Sequence, residues 1–97
     1  IAVKIDFDKV PLFSEVAKLA REEVLPGAVE RNREALPANI VDFSNLTLAQ
    51  ENILFSPETS GGLLLFLPKE DAKNYICELR NLGNNIASII GEVTAPN

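Results

Sequence analysis

The sequence predicts an α/β or α+β two-layer fold, in which a mixed sheet is covered by helices on at least one face. Three observations predict it. The N-terminus alternates apolar and polar residues with period two, Leu63 to Leu67 form an uninterrupted apolar run between Gly62 and Pro68, and a helical apolar stripe follows before a last apolar segment.

Taken in order, Ile1, Val3, Ile5 and Phe7 share one side of a half-buried strand, with Lys4, Asp6 and Asp8 on the other. Pro11 suits a first helical turn. Leu12, Val16, Leu19 and Ala20 then recur at helical spacing up to Pro26-Gly27, so a helix is expected over about 11–24. A shorter, polar helix is expected from Ala28 to Leu36, where Val29 is the large apolar residue before Leu36. Between Pro37 and Pro57, Val41 and Phe43 alternate with Asp42 and Ser44, and Ile53-Leu54-Phe55 is a brief apolar run. Connection with one or two short strands is expected there.

The second half carries firmer signals. The Leu63–Leu67 run fits a central strand at about 62–67, apolar on both faces and bracketed by Gly and Pro. Ala72, Tyr75, Ile76, Leu79 and Leu82 then make a helix at about 69–82. Glu70 and Asp71 sit in its first turn, Arg80 near its end, and Gly83 supplies a left-handed stop. Ile86 to Val93 reads as a strand at about 86–93. Strand, crossover helix and strand predict a right-handed βαβ unit with parallel strands. Tyr75 falls on the core stripe and Cys77 opposite it, either exposed or pressed against another subunit or domain.

The 97 residues make one domain's worth of chain, and the whole of 1–97 is expected to be a single domain. The longest apolar run is far short of the roughly 20 residues a membrane span needs, so no membrane partner is expected. No charged start followed by an apolar run marks a secretory signal, and a cytoplasmic location is expected. Nine Lys and Arg against 14 Asp and Glu give a net charge of −5, which opposes nucleic acid as a partner. With one Cys and no His, an internal disulfide, the usual zinc sites and Ser-His or Cys-His nucleophile pairs cannot be built. The carboxylates are scattered without a spacing that marks a catalytic pair.

Ser56-Pro57-Glu58-Thr59-Ser60-Gly61-Gly62-Leu63-Leu64 is the densest local motif. Two glycines after two hydroxyls could form an anion-binding nest of backbone N–H groups with Thr59 and Ser60 as added donors, or a tight turn entering a strand. It lacks the Lys of a Walker loop and the three-glycine spacing of a dinucleotide fingerprint. The second motif is Pro26-Gly27 followed by Arg31-Asn32-Arg33. Two guanidiniums at i, i+2 point apart on a helix, so solvated charge with Glu30 and Glu34 as neighbours is the favoured reading.

At these residues the chain resembles the C-terminal region of the selenophosphate synthetase (selenide, water dikinase) family. That family belongs to a superfamily with aminoimidazole ribonucleotide synthetase and thiamin-monophosphate kinase. Ile5 to Ala20 (IDFDKVPLFSEVAKLA) is similar to the family's strand and "VP" helix, and Pro26-Gly27 with Arg31-Asn32 to its PGGTxRN segment. Ser56 to Leu64 (SPETSGGLL) is similar to its DPQTSGGLL signature, and Ile89-Ile90-Gly91-Glu92-Val93 to its closing strand. The sequence departs from the family at Ala28 and Val29, which stand for Gly-Thr, at Ser56 for Asp, and at Glu58 for Gln.

The resemblance implies a fragment of the C-terminal domain of a two-domain synthetase. The parent enzyme would make selenophosphate, AMP and phosphate from ATP, selenide and water. ATP and magnesium would be held mainly by an N-terminal domain that also carries the catalytic Cys or selenocysteine and its Lys. This chain would contribute no catalytic residue and would bind neither cofactor alone. Its cleft candidates are Thr59, Ser60, Gly61 and Gly62, with Asn32 as a further polar contributor. The implied partners are that N-terminal domain and a second copy in a homodimer. The alternatives are a non-catalytic binding module of the same fold, or a C-terminal domain of another superfamily member such as thiamin-monophosphate kinase.

Overall fold

Residues 1–96 are described by a computed structural model. Its elements are β1 (Ala2–Ile5), a 3-10 turn (Phe7–Lys9), α1 (Val16–Arg21), α2 (Ala28–Ala35), α3 (Leu48–Leu54), α4 (Lys69–Asn81) and β2 (Gly91–Thr94). The chain is a mixed α/β protein that divides into two compact units. One is built from Ile1–Pro11 and the chain from Leu63 onward, the other from Leu12–Gly62.

In the first unit β1 and β2 pair antiparallel, with Ala2 opposite Thr94, Val3 opposite Val93, Lys4 opposite Glu92 and Ile5 opposite Gly91. The ladder is extended by the Asp6 N–H, which donates to the Ile90 carbonyl at 2.8 Å. β1 stands where alternation puts it, but Val3 and Ile5 remain exposed rather than half-buried. The expected strand at 86–93 shrinks to its last third because the Asn84 carboxamide oxygen accepts from the N–H groups of Ile86 (3.0 Å) and Ala87 (3.1 Å), so a side chain takes donors that a ladder would use. The expected strand at 62–67 pairs with nothing among the described residues, and no parallel βαβ unit forms. Apolar content selects a buried environment; a strand also needs a neighbouring backbone, and here β1 takes the ladder of β2 instead.

α4 matches the expected helix closely. Its end is a Schellman motif: Gly83 lies at φ +92°, its N–H donates to Arg80 (3.0 Å), and the Asn84 N–H donates to Leu79 (2.9 Å). Tyr75 on its apolar stripe is exposed rather than core, while Ala72, Ile76 and Leu79 of the same stripe are half-buried. Cys77 is exposed.

In the second unit the helix expected over 11–24 is confined to Val16–Arg21. Glu15 at φ +73° is left-handed, and a right-handed helix cannot run through it, whatever the periodicity on either side. α2 matches its expected bounds. α3 replaces the strands expected between Pro37 and Pro57, and its start explains why. The Thr47 hydroxyl accepts from the Gln50 N–H (3.2 Å) while the Gln50 side chain accepts from the Thr47 N–H (2.9 Å), a reciprocal capping box. Upstream, the Asp42 carboxylate accepts from the Ser44 N–H at 2.8 Å, and the Ser44 side chain and backbone together hold its carboxyl below the usual value. Among the described residues the buried ones are Ala20 of α1, Val29 of α2 and Asn52 of α3, and the Phe43 and Phe55 rings lie 5.4 Å apart.

Candidate functional site

Thr59 and Ser60 form a turn that the Gly61 N–H closes by donating to the Glu58 carbonyl at 3.4 Å. All four residues from Thr59 to Gly62 are exposed. Neither glycine has a left-handed φ, so the alternation of right- and left-handed residues that makes a nest is not formed. A Cβ on Gly61 would meet the flexible Glu58 carboxylate at 3.2 Å, and one on Gly62 would meet nothing within 4 Å. Among the described residues, the N–H groups of Thr59, Ser60 and Gly62 donate to no group of the chain. The turn therefore offers outward donors and two hydroxyls without a preformed cradle.

Asn32 belongs to the same compact unit as this turn. Its side-chain amide donates to the Phe55 carbonyl at 2.7 Å, satisfying the cap residue at the C-terminus of α3. Asn32 thus fixes the point from which the chain leaves α3 toward Thr59. The neighbouring arginines are not both solvated. Arg33 donates to the Glu51 carboxylate and to the Asn52 side-chain oxygen, and its guanidinium lies 4.7 Å from the Phe55 ring centroid. Its partner is Glu51 on α3, not Glu30 or Glu34, because the i, i+2 offset that turns Arg31 to solvent turns Arg33 to the facing helix. At Val29, where the resembled family carries Thr, the side chain is 1% exposed and acts as core.

Among the described residues no three His, Cys, Asp or Glu side chains come together. Nor is any described helix long and apolar enough to cross a membrane.

The chain is 37% identical to a selenide, water dikinase of Treponema denticola over 98 residues, covering 97% of this chain and 27% of that protein. It is 37% identical over 93 residues to the selenide, water dikinase of Aliarcobacter butzleri, again with 27% of that protein covered. The selenide, water dikinase of Clostridioides difficile is 27% identical over 93 residues. No family model and no solved structure matches. The resemblance carried by TSGGLL and its neighbours therefore extends along nearly the whole chain, and the chain spans about a quarter of the length of the curated relatives it matches.

Proposed function

We propose that this chain is the distal part of the C-terminal domain of a selenophosphate synthetase, and that it lines the cleft in which ATP, selenide and water yield selenophosphate, AMP and phosphate. The observation that carries the reading is similarity over 97% of the chain to 27% of a selenide, water dikinase. The exposed Leu63–Leu67 run supports the fragment character: Leu63 is 87% and Phe66 61% exposed, which is apolar surface that further chain would cover. Within the cleft, the Thr59 and Ser60 hydroxyls and the free N–H groups of the turn donate to oxyanion charge on the transferring group, stabilising it without accepting or giving a proton. Proton transfer, the nucleophile and any magnesium belong to the remainder of the protein.

The 97-residue chain alone is expected to release no AMP in response to selenide and to self-associate in sedimentation velocity. The intact protein that carries it is expected to release AMP. Selenide-stimulated AMP release by the isolated chain would overturn the division of labour. A strict monomer of high thermal stability would overturn the fragment reading.

In the intact protein, Thr59→Ala is expected to lower selenide-dependent kcat/KM about tenfold, the loss of one hydrogen bond to a charged group, while leaving the melting midpoint in place. A lowered midpoint with kcat/KM unchanged would show that the hydroxyl holds the loop instead.

A second reading, a binding module without chemistry, is favoured by the departures at Ala28, Val29, Ser56 and Glu58. The open reading frame discriminates the two. An upstream Cys or selenocysteine with a Lys and an Asp cluster supports the enzyme, whereas a frame opening near Ile1 supports the module.

A further inference from the structure

The compact unit formed by Ile1–Pro11 and the chain from Leu63 onward carries an open groove of about 330 Å³. It is lined by Lys9 at the end of the 3-10 turn, by Lys73, Ile76 and Arg80 of α4, and by Ser88 and Ile89 of the segment that leads into β2. Lys73, Ile76 and Arg80 stand at i, i+3 and i+7, so one helix face presents two cations with an apolar residue between them.

Three cations and a hydroxyl thus face one concavity whose lining holds no carboxylate, in a chain whose net charge is −5. Bringing like charges together costs free energy unless a counter-charge occupies the space between them. The acidic neighbours do little to supply it. Asp6 lies 3.9 Å from Lys9 and Glu70 lies 3.7 Å from Lys73, both as exposed i, i+3 pairs of the kind that contribute almost nothing and exchange freely. Arg80 makes no ion pair or side-chain hydrogen bond among the described residues. Its planar fork of N–H donors is therefore available to two oxygens of one anion.

We propose that this groove is a binding site for a small polyvalent phosphate oxyanion, built from residues outside the Thr59–Gly62 turn. Arg80 takes the anion in bidentate fashion, Lys73 and Lys9 close on it from α4 and from the 3-10 turn, and the Ser88 hydroxyl donates to a remaining oxygen. Ile76 and Ile89 supply the apolar part of the lining between the charged groups. Spreading the cations over two turns of α4 suits a diphosphate better than a monovalent anion. The site stands independently of the cleft reading above, since none of its residues lies in the TSGG motif.

The test is a titration of the intact protein with inorganic diphosphate at constant ionic strength, read at the amides of Ser88 and Ile89 and at the Arg80 Nε by NMR. These local probes separate the groove from any phosphate site elsewhere in the protein. Saturable shifts at these three positions are expected, with the apparent affinity weakened about tenfold by Arg80→Gln through loss of a bidentate charged contact. Lys9→Gln, on a different element, is expected to weaken it in the same direction and keeps the test open if the α4 variant disturbs folding. Lys18→Gln in α1 removes the same charge outside the groove and is expected to change nothing. Shifts that fail to saturate, or equal weakening by Lys18→Gln and Arg80→Gln, would show only bulk charge attraction and overturn the proposal.

Discussion

Replacing Arg33 by methionine is expected to destabilise the Leu12–Gly62 unit by about 2 kcal/mol, because it breaks one side of a part-buried polar network while leaving the other side in place. The guanidinium bonds Glu51 and Asn52 together and lies over Phe55. Asn52 is 7% exposed, and the Glu51 side chain retains 21% of its exposure. Methionine keeps much of the stem and its packing but leaves the buried Asn52 amide oxygen without its donor and the part-buried Glu51 carboxylate unpaired. The loss of the ring contact adds about 0.5–1 kcal/mol. Urea denaturation checks the value. A cycle with Glu51→Gln and Asn52→Ala should show strong coupling to Arg33, and a midpoint unchanged in Arg33→Met would mean that the arginine is free in solution.

That network marks a limit of sequence reading. Local spacing offered Glu30 and Glu34 as partners for Arg33, whereas the real partners lie 18 and 19 residues away, where no periodicity points. What was legible had local causes at both ends. α4 could be read from acids in its first turn, Arg80 near its end and Gly83 beyond it, and each of these acts through backbone groups within a few residues. α3 was equally readable and was missed. Thr47 and Gln50 spell a capping box, a local signal that outweighs the Val41–Phe43 alternation beside it. The Leu63–Leu67 run shows the opposite failure, since its composition describes a destination and cannot name the strand beside it. At the candidate turn, residue types alone draw attention to Thr59 to Gly62, where two hydroxyls precede two glycines. Of the two readings open for its glycines, the nest is not formed, because neither takes a left-handed backbone.

The steric demand for glycine lies at Gly91 instead, and Gly91→Val is expected to abolish most of the β1–β2 pairing at a cost of about 2–3 kcal/mol. Gly91 stands opposite Ile5 in the antiparallel ladder. A Cβ built there would overlap the Lys4 carbonyl oxygen and lie 3.0 Å from the Ile5 Cα and 3.1 Å from the Lys4 carbonyl carbon. All of these are backbone atoms, so no side chain can swing aside to make room. β1 must move away, and its four paired residues together with the Asp6 to Ile90 hydrogen bond move with it. A two-stranded sheet has no third strand to hold the register while that happens. Hydrogen exchange checks this directly, with loss of protection at the β1 amides expected in Gly91→Val and a smaller loss in Gly91→Ala. Gly62→Val serves as the contrast, since open space surrounds that position and little change is expected. Unaltered β1 protection in Gly91→Val would mean that the strands approach less closely in solution, and the requirement for glycine at this position would disappear with it.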